Sequence, residues 1–208
     1  MEIPTTFHVK KADTQIALEG LLSAPVSATA GAVICHPHPL YGGEMRNNVV
    51  TALTEAFDGS GMATLRFNFR GVGKSEGSHD EGKGECDDVT AAVTFLQAQC
   101  SLTEILVAGY SFGSVVGLQA GAKDERVDAL IGLAFPLNLR DPAFLMDVKK
   151  PVFLVSGTRD DYSPIEDLKQ VVSKMSVPAK LQTIDGADHF FMGREKEITA
   201  TIKTFLEP

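Results

Sequence analysis

The sequence predicts an α/β fold: a mostly parallel central sheet with helices on both faces. Three observations lead there. From Gly31 onward, short apolar runs of strand type alternate with stretches of helical length, the order of βαβ units. Gly31–Cys35 is apolar throughout, which marks a strand buried on both faces. One run, Ile105–Ala108, passes through Gly109-Tyr110-Ser111-Phe112-Gly113 directly into a second run of helical length: a strand, a tight turn with serine at its tip, and a helix.

The elements follow in order. Phe7–Lys10 and Gln15–Leu22 read as two strands forming a hairpin at the sheet edge. After a loop come the strand Gly31–Cys35 and a helix over Glu44–Gly59, with Val49, Val50, Leu53, Ala56 and Phe57 at three-to-four spacing. Met62–Phe69 is a strand, followed by a Gly-rich loop and a helix over Gly84–Gln99. The strand Glu104–Ala108, the Ser111 turn and its helix come next, then strands over Val127–Ala134 and Pro151–Ser156. Ser163–Met175 is a helix with Ser163 as N-cap and Pro164 at its first position. Ala179–Ile184 is the last strand, and Arg194–Leu206 closes the chain as a helix.

With 208 residues, 44% hydrophobic and 22% charged, the chain is long enough for a substantial core, and one domain over residues 1–208 is expected. A formal net charge of −8 argues against a nucleic-acid binder, which needs a basic face. Met1–Phe7 lacks a basic region followed by an apolar core, so no signal peptide is expected. No apolar run approaches the ~20 residues of a membrane span. The cysteines Cys35, Cys86 and Cys100 are odd in number and unpatterned, which favours a reducing, cytoplasmic compartment. The sequence is silent on oligomeric state.

In parallel sheets the chemistry gathers at the carboxyl ends of the strands. Ser111 sits there in a strained turn, flanked by Gly109 and Gly113, which must lack a Cβ. The N–H of Phe112 lies at a helix N-terminus, where donors are unpaired and negative charge is favoured. A serine there is a candidate nucleophile, and Phe112 N–H a candidate oxyanion donor. A second Gly-x-Ser-x-Gly match, Gly73–Gly77 around Ser75, lies in a charge-rich loop that starts no helix, so it is set aside.

The nucleophile needs a base, and the base a carboxylate to orient it. His189 follows the last strand and would hang over the same sheet edge as Ser111; His8 lies in an early strand and His79 in a mobile-looking loop. Past Ser156 come two adjacent acids, Asp160 and Asp161, of which only one can face His189 because successive side chains diverge. Asp188 reads as a loop brace. The order serine, acid, histidine is that of one of the three known serine triads.

Five stretches carry a resemblance: His36–Gly43, Arg66–Ser75, Gly109–Gly113, Gly157–Pro164 and Gly186–Phe191. The chain resembles the small, capless α/β-hydrolases, the bacterial "predicted hydrolase of the α/β superfamily" group, and the matches span nearly its whole length. The resemblance implies the α/β-hydrolase fold and a Ser-His-Asp triad of Ser111, His189 and Asp160. The family's acid is the fourth residue of a Gly-x-x-Asp-x-x-x-Pro motif, which selects Asp160 over Asp161. It also implies a first oxyanion donor after the strand Gly31–Cys35. Many relatives have His-Gly there, whereas this chain has His36-Pro37, and prolines 37 and 39 donate nothing. The N–H of His38 is the expected donor, with Leu40 as alternate, and Tyr41 is expected at the pocket mouth.

Two other readings fall short. A zinc site at His36-x-His38 has no third ligand at a recognised spacing. A phosphate loop at Gly71–Ser75 has Asn68 where glycine is required. The resulting expectation is a cytoplasmic serine hydrolase acting on a small-molecule carboxylic ester or thioester, with no cofactor. The alternative is a catalytically idle hydrolase fold used as a binding module. Between the strands ending near Ala134 and starting at Pro151 there is no room for a cap, so the site should be open.

Overall fold

The computed structural model describes residues 1–11 and 14–207. Its strands are β1 (Ile3–Lys11), β2 (Thr14–Ser23), β3 (Ala30–Cys35), β4 (Ala63–Phe67), β5 (Glu104–Tyr110), β6 (Ala129–Leu133), β7 (Val152–Gly157) and β8 (Ala179–Ile184). Its helices are α1 (Asn48–Gly59), α2 (Lys83–Gln99), α3 (Phe112–Lys123), α4 (Ile165–Lys174) and α5 (Glu195–Leu206). All eight strands join one sheet in the order β1-β2-β4-β3-β5-β6-β7-β8. β1 pairs antiparallel with β2 and β2 with β4; every other pairing is parallel.

Alternate side chains feed two cores. On β3 and β5, Val33, Cys35, Ile105 and Val107 pack toward α2 and α3, with Val89, Val93, Val116 and Leu118. Ala32, Ile34, Leu106 and Ala108 pack the other way, toward α1 and α5, with Val50, Leu53, Ile198 and Ile202. Burial on both faces is why these strands read as unbroken apolar runs.

The topology also locates the crevice. From β3 the chain moves outward to β4, then returns to β5 and builds in the opposite direction through β8. The loops leaving β3 and β5 therefore diverge between two hydrogen-bonded neighbours, where open α/β sheets bind ligands. Ser111 and His38 leave from those two strand ends. The segment between β6 and β7 holds only a short 3₁₀ turn at Ala143–Asp147, so no cap covers this edge.

Three of the boundaries that differ from the sequence reading have a visible cause. α1 starts at Asn48 and not at Glu44, because Asn47 caps it, accepting the Val49 N–H at 3.0 Å. β4 ends at Phe67 and not at Phe69: the Phe69 N–H turns away to donate to His36. Ser163 is not the cap of α4; Pro164 occupies that position, and the Ser163 hydroxyl donates to the Phe135 carbonyl instead.

Candidate active site

Ser111 has φ 54° and ψ −117°, a conformation costly for a residue with a side chain. Two close approaches hold it. A Cβ on Gly109 would lie 2.1 Å from the Gly113 carbonyl oxygen, and one on Gly113 would lie 2.4 Å from the carbonyl oxygens of Cys35 and His36. Only glycine lets the first turn of α3 press onto the end of β3. The Ser111 N–H donates to the Leu133 carbonyl at 2.9 Å, tying the turn to β6.

Around this turn the strand ends bring three side chains together. The Ser111 Oγ lies 2.9 Å from His189 Nε2. On its other side, His189 Nδ1 lies 3.0 and 2.9 Å from the two carboxylate oxygens of Asp160. A carboxylate at Nδ1 holds the proton there and leaves the Nε2 lone pair facing the hydroxyl. His189 and Asp160 are 8% and 5% exposed, so the polar pair is largely shielded from water. Asp160 Oδ1 also accepts the N–H groups of Tyr162 and Ser163, at 2.9 and 3.0 Å. Asp161 is exposed, and among the described residues it contributes only its carbonyl oxygen, to Asn138.

The histidine is held from behind as well. The Tyr110 hydroxyl donates to the His189 carbonyl at 2.9 Å. Burial, with help from the charges of Asp160 and Asp188, raises the Tyr110 phenol above its ordinary range, so it remains a donor. Asp188 braces the loop by accepting the N–H groups of Phe190 and Phe191 at 3.0 and 3.1 Å.

On the β3 side, His36 is wholly buried, and both its ring nitrogens are engaged. Nε2 accepts the Phe69 N–H at 3.0 Å, so Nδ1 carries the proton and donates to the Pro37 carbonyl at 2.6 Å. Burial lowers this imidazole to about 4, which keeps it neutral. With both nitrogens occupied, a zinc site at His36-x-His38 loses its first ligand.

His38 Nδ1 accepts the Leu40 N–H at 3.2 Å, so the N–H considered as alternate oxyanion donor is already engaged. The N–H groups of His38 and Phe112 have no acceptor among the described residues. Their rings pack 4.8 Å apart. Desolvation, and then the neighbouring His79 and Arg140, lower the His38 imidazole below its ordinary value. Tyr41 is 87% exposed, with its ring 4.8 Å from that of His38. A cleft of about 480 Å³ runs between α2 and α3 behind Phe112, but neither Ser111 nor His189 lines it.

Ser75 stays in its loop, as the sequence reading has it, whereas His79 departs from that reading. Ser75 is buried, its hydroxyl donating to the Asn68 carbonyl at 2.7 Å and accepting the Glu19 N–H at 3.1 Å, so it has no free role as a nucleophile. His79 does not wave in solvent. Its Nδ1 lies 2.8 Å from Oε1 of the fully buried Glu85, and its ring packs 4.9 Å from His38 and 5.5 Å from Phe112. Glu85 also accepts the N–H groups of Asp80 and Gly82, at 3.0 and 2.8 Å. A glutamate three residues past a helix cap is the sequence signal for such a brace.

Comparison with known proteins identifies the family and the fold. Residues 32–206 match the family described as "Alpha/beta hydrolase domain". An uncharacterized protein of Rickettsia prowazekii is 33% identical over 199 residues, 91% of this chain and 84% of that one. Among solved structures, an alpha-beta serine hydrolase homologue from Coxiella burnetii is 36% identical, with 98% of this chain and 97% of that one covered at a TM-score of 0.87. A lidless serine hydrolase from Xanthomonas campestris is 28% identical, with 97% and 92% covered and a TM-score of 0.84.

Proposed function

The chain belongs to the alpha/beta hydrolase domain family, and from that premise we propose that it is a serine hydrolase cleaving a small-molecule carboxylic ester or thioester through an acyl-enzyme. The observation that carries this reading is the unbroken chain from Ser111 Oγ through the His189 imidazole to Asp160, with each link at 2.9–3.0 Å. In the first half-reaction the Ser111 oxygen attacks the acyl carbon while its proton passes to His189 Nε2. The N–H groups of His38 and Phe112 receive the developing oxyanion, each contributing about 3 kcal/mol. Asp160 stabilises the imidazolium, which then protonates the leaving group. In the second half, His189 takes a proton from water, the hydroxide attacks the acyl-Ser111 ester, and Ser111 recovers its proton as the acid leaves.

Cys35, Cys86 and Cys100 are all free thiols, which supports a cytoplasmic site of action. Among the described residues no helix is long and apolar enough to cross a membrane.

A fluorophosphonate probe with peptide mapping tests the reading. Labelling at Ser111, lost in Ser111→Ala together with turnover of short-chain esters, is the expected result. An unlabelled Ser111 in a protein that cleaves no ester or thioester would leave only a binding role for this fold.

A further inference from the structure

Exposed large apolar side chains are unremarkable when scattered and informative when gathered. Nine are prominent among the described residues, and six of them sit on loops at one edge of the sheet: Leu40, Tyr41, Leu139, Tyr162, Phe190 and Met192. That edge is the one that carries Ser111 and His189. Two of the six, Tyr162 and Phe190, pack against the histidine ring. Tyr162 is 41% exposed with its ring 4.7 Å from that of His189, and Phe190 is 55% exposed with its ring 5.6 Å away and perpendicular.

These walls are fixed by polar contacts behind them. Asn138 donates its backbone N–H to the Tyr162 carbonyl at 3.1 Å and its side-chain amide to the Asp161 carbonyl at 2.6 Å, joining the Leu139 loop to the Tyr162 loop. On the far side, Asn48 Nδ2 reaches the Phe190 carbonyl at 3.3 Å and Met192 Sδ at 3.9 Å. Buried Phe191 anchors the same loop from below. Two pinned walls, the rings of Tyr162 and Phe190, thus stand beside the imidazole.

The histidine that protonates a leaving group must come within hydrogen-bond reach of the leaving atom. Whatever is attached to that atom lies beside the walls, whereas the acyl oxygen is drawn toward His38 and Phe112. Both wall side chains are aromatic, and neither is a carboxylate or a basic group. We propose that this slot is a leaving-group subsite for an uncharged aromatic or bulky apolar alcohol or thiol, with Tyr162 and Phe190 as its specificity-determining residues. The inference rests on the acyl-transfer reading above and narrows it to one side of the scissile bond.

Benzyl butyrate and methyl butyrate test it. They share the acyl group and release alcohols of closely matched acidity, so their kcat/KM ratio reports the slot. The ratio should be about tenfold or more in favour of benzyl, and Tyr162→Ala and Phe190→Ala should each cut it about three- to tenfold, the range of one aromatic contact. Methyl phenylacetate carries the ring on the acyl side and should not share that loss. A wild-type ratio near one, or an equal loss for methyl phenylacetate in the variants, overturns the subsite. If Ser111 takes the fluorophosphonate and methyl butyrate is cleaved, such a result sinks the slot alone. If Ser111 stays unlabelled and neither butyrate is cleaved, the hydrolase reading falls and the slot with it.

Discussion

Asp160 presents both carboxylate oxygens to a single nitrogen of His189, at 3.0 and 2.9 Å from Nδ1. The backbone N–H groups of Tyr162 and Ser163 converge on Oδ1 of the same carboxylate. The turn after β7 thus fixes this carboxylate in place and aims it at the imidazole. Its neighbour Asp161 faces solvent.

The two acids should therefore behave oppositely. Asp160→Asn keeps the size but can present an NH₂ group to Nδ1, which disfavours the productive tautomer, and kcat should fall about 10³- to 10⁴-fold. Asp161→Asn should stay within about threefold of wild type. Steady-state kinetics on one short-chain ester checks both, and the reverse pattern would reassign the acid.

Ser111 and His189 should act as a unit. Ser111→Ala removes the atom that forms the acyl-enzyme, so adding His189→Ala should reduce the residual rate little further. Fluorophosphonate labelling and ester turnover of the two single variants and the double variant supply the cycle. Losses that multiply in full would mean that the two residues do not share a step.

His36 makes a prediction about acid stability. Burial lowers it to about 4 in the folded protein, against ~6.5 for an unperturbed imidazole in the unfolded chain. Between those values the unfolded state binds the extra proton, so stability is fully present above ~6.5 and is lost as pH falls toward 4. Going from pH 7.5 to 5 should cost about 2 kcal/mol at this one residue. In His36→Gln, the side-chain carbonyl can still accept the Phe69 N–H but nothing titrates. Urea unfolding at pH 7.5 and 5.0 should show a smaller acid loss in the variant; equal losses would assign the acid sensitivity to other groups.

Much of this was legible because the informative residues are local. Strands buried on both faces announce themselves as apolar runs, and Gly109 and Gly113 mark the turn because a Cβ there would strike backbone. Ser111, Asp160 and His189 each follow a strand, and parallel topology brings such positions to one edge. Individual side-chain pairings were not legible. Ser163 has the composition of a helix cap, yet its hydroxyl finds Phe135, 28 residues earlier. His79 looks like loop filler because its partner Glu85 lies six residues on, across the turn that starts α2. The N–H of Leu40 looks available until the His38 ring turns back onto it. In the residue pattern alone, Asp160 and Asp161 are equivalent, and the difference lies in the turn that aims one of them.

The open edge bears on how the protein handles aggregated substrate. The segment between β6 and β7 is not a lid in waiting. Leu145 of its 3₁₀ turn is wholly buried, and Asn138 ties its first residues to the loop after β7. With nothing to open, contact with a lipid–water interface has no closed state to release, and rate should not jump when an ester passes its micelle threshold. An acyl group held only by loops also buries few methylenes, each contributing ~0.8 kcal/mol. On a fixed alcohol, kcat/KM should therefore rise over short and medium acyl chains and then level off. Measuring it across acyl lengths, below and above micelle formation, tests both points. A jump at the threshold would require the 135–150 segment to move, and a steady rise to long chains would require a deep channel beside Ser111.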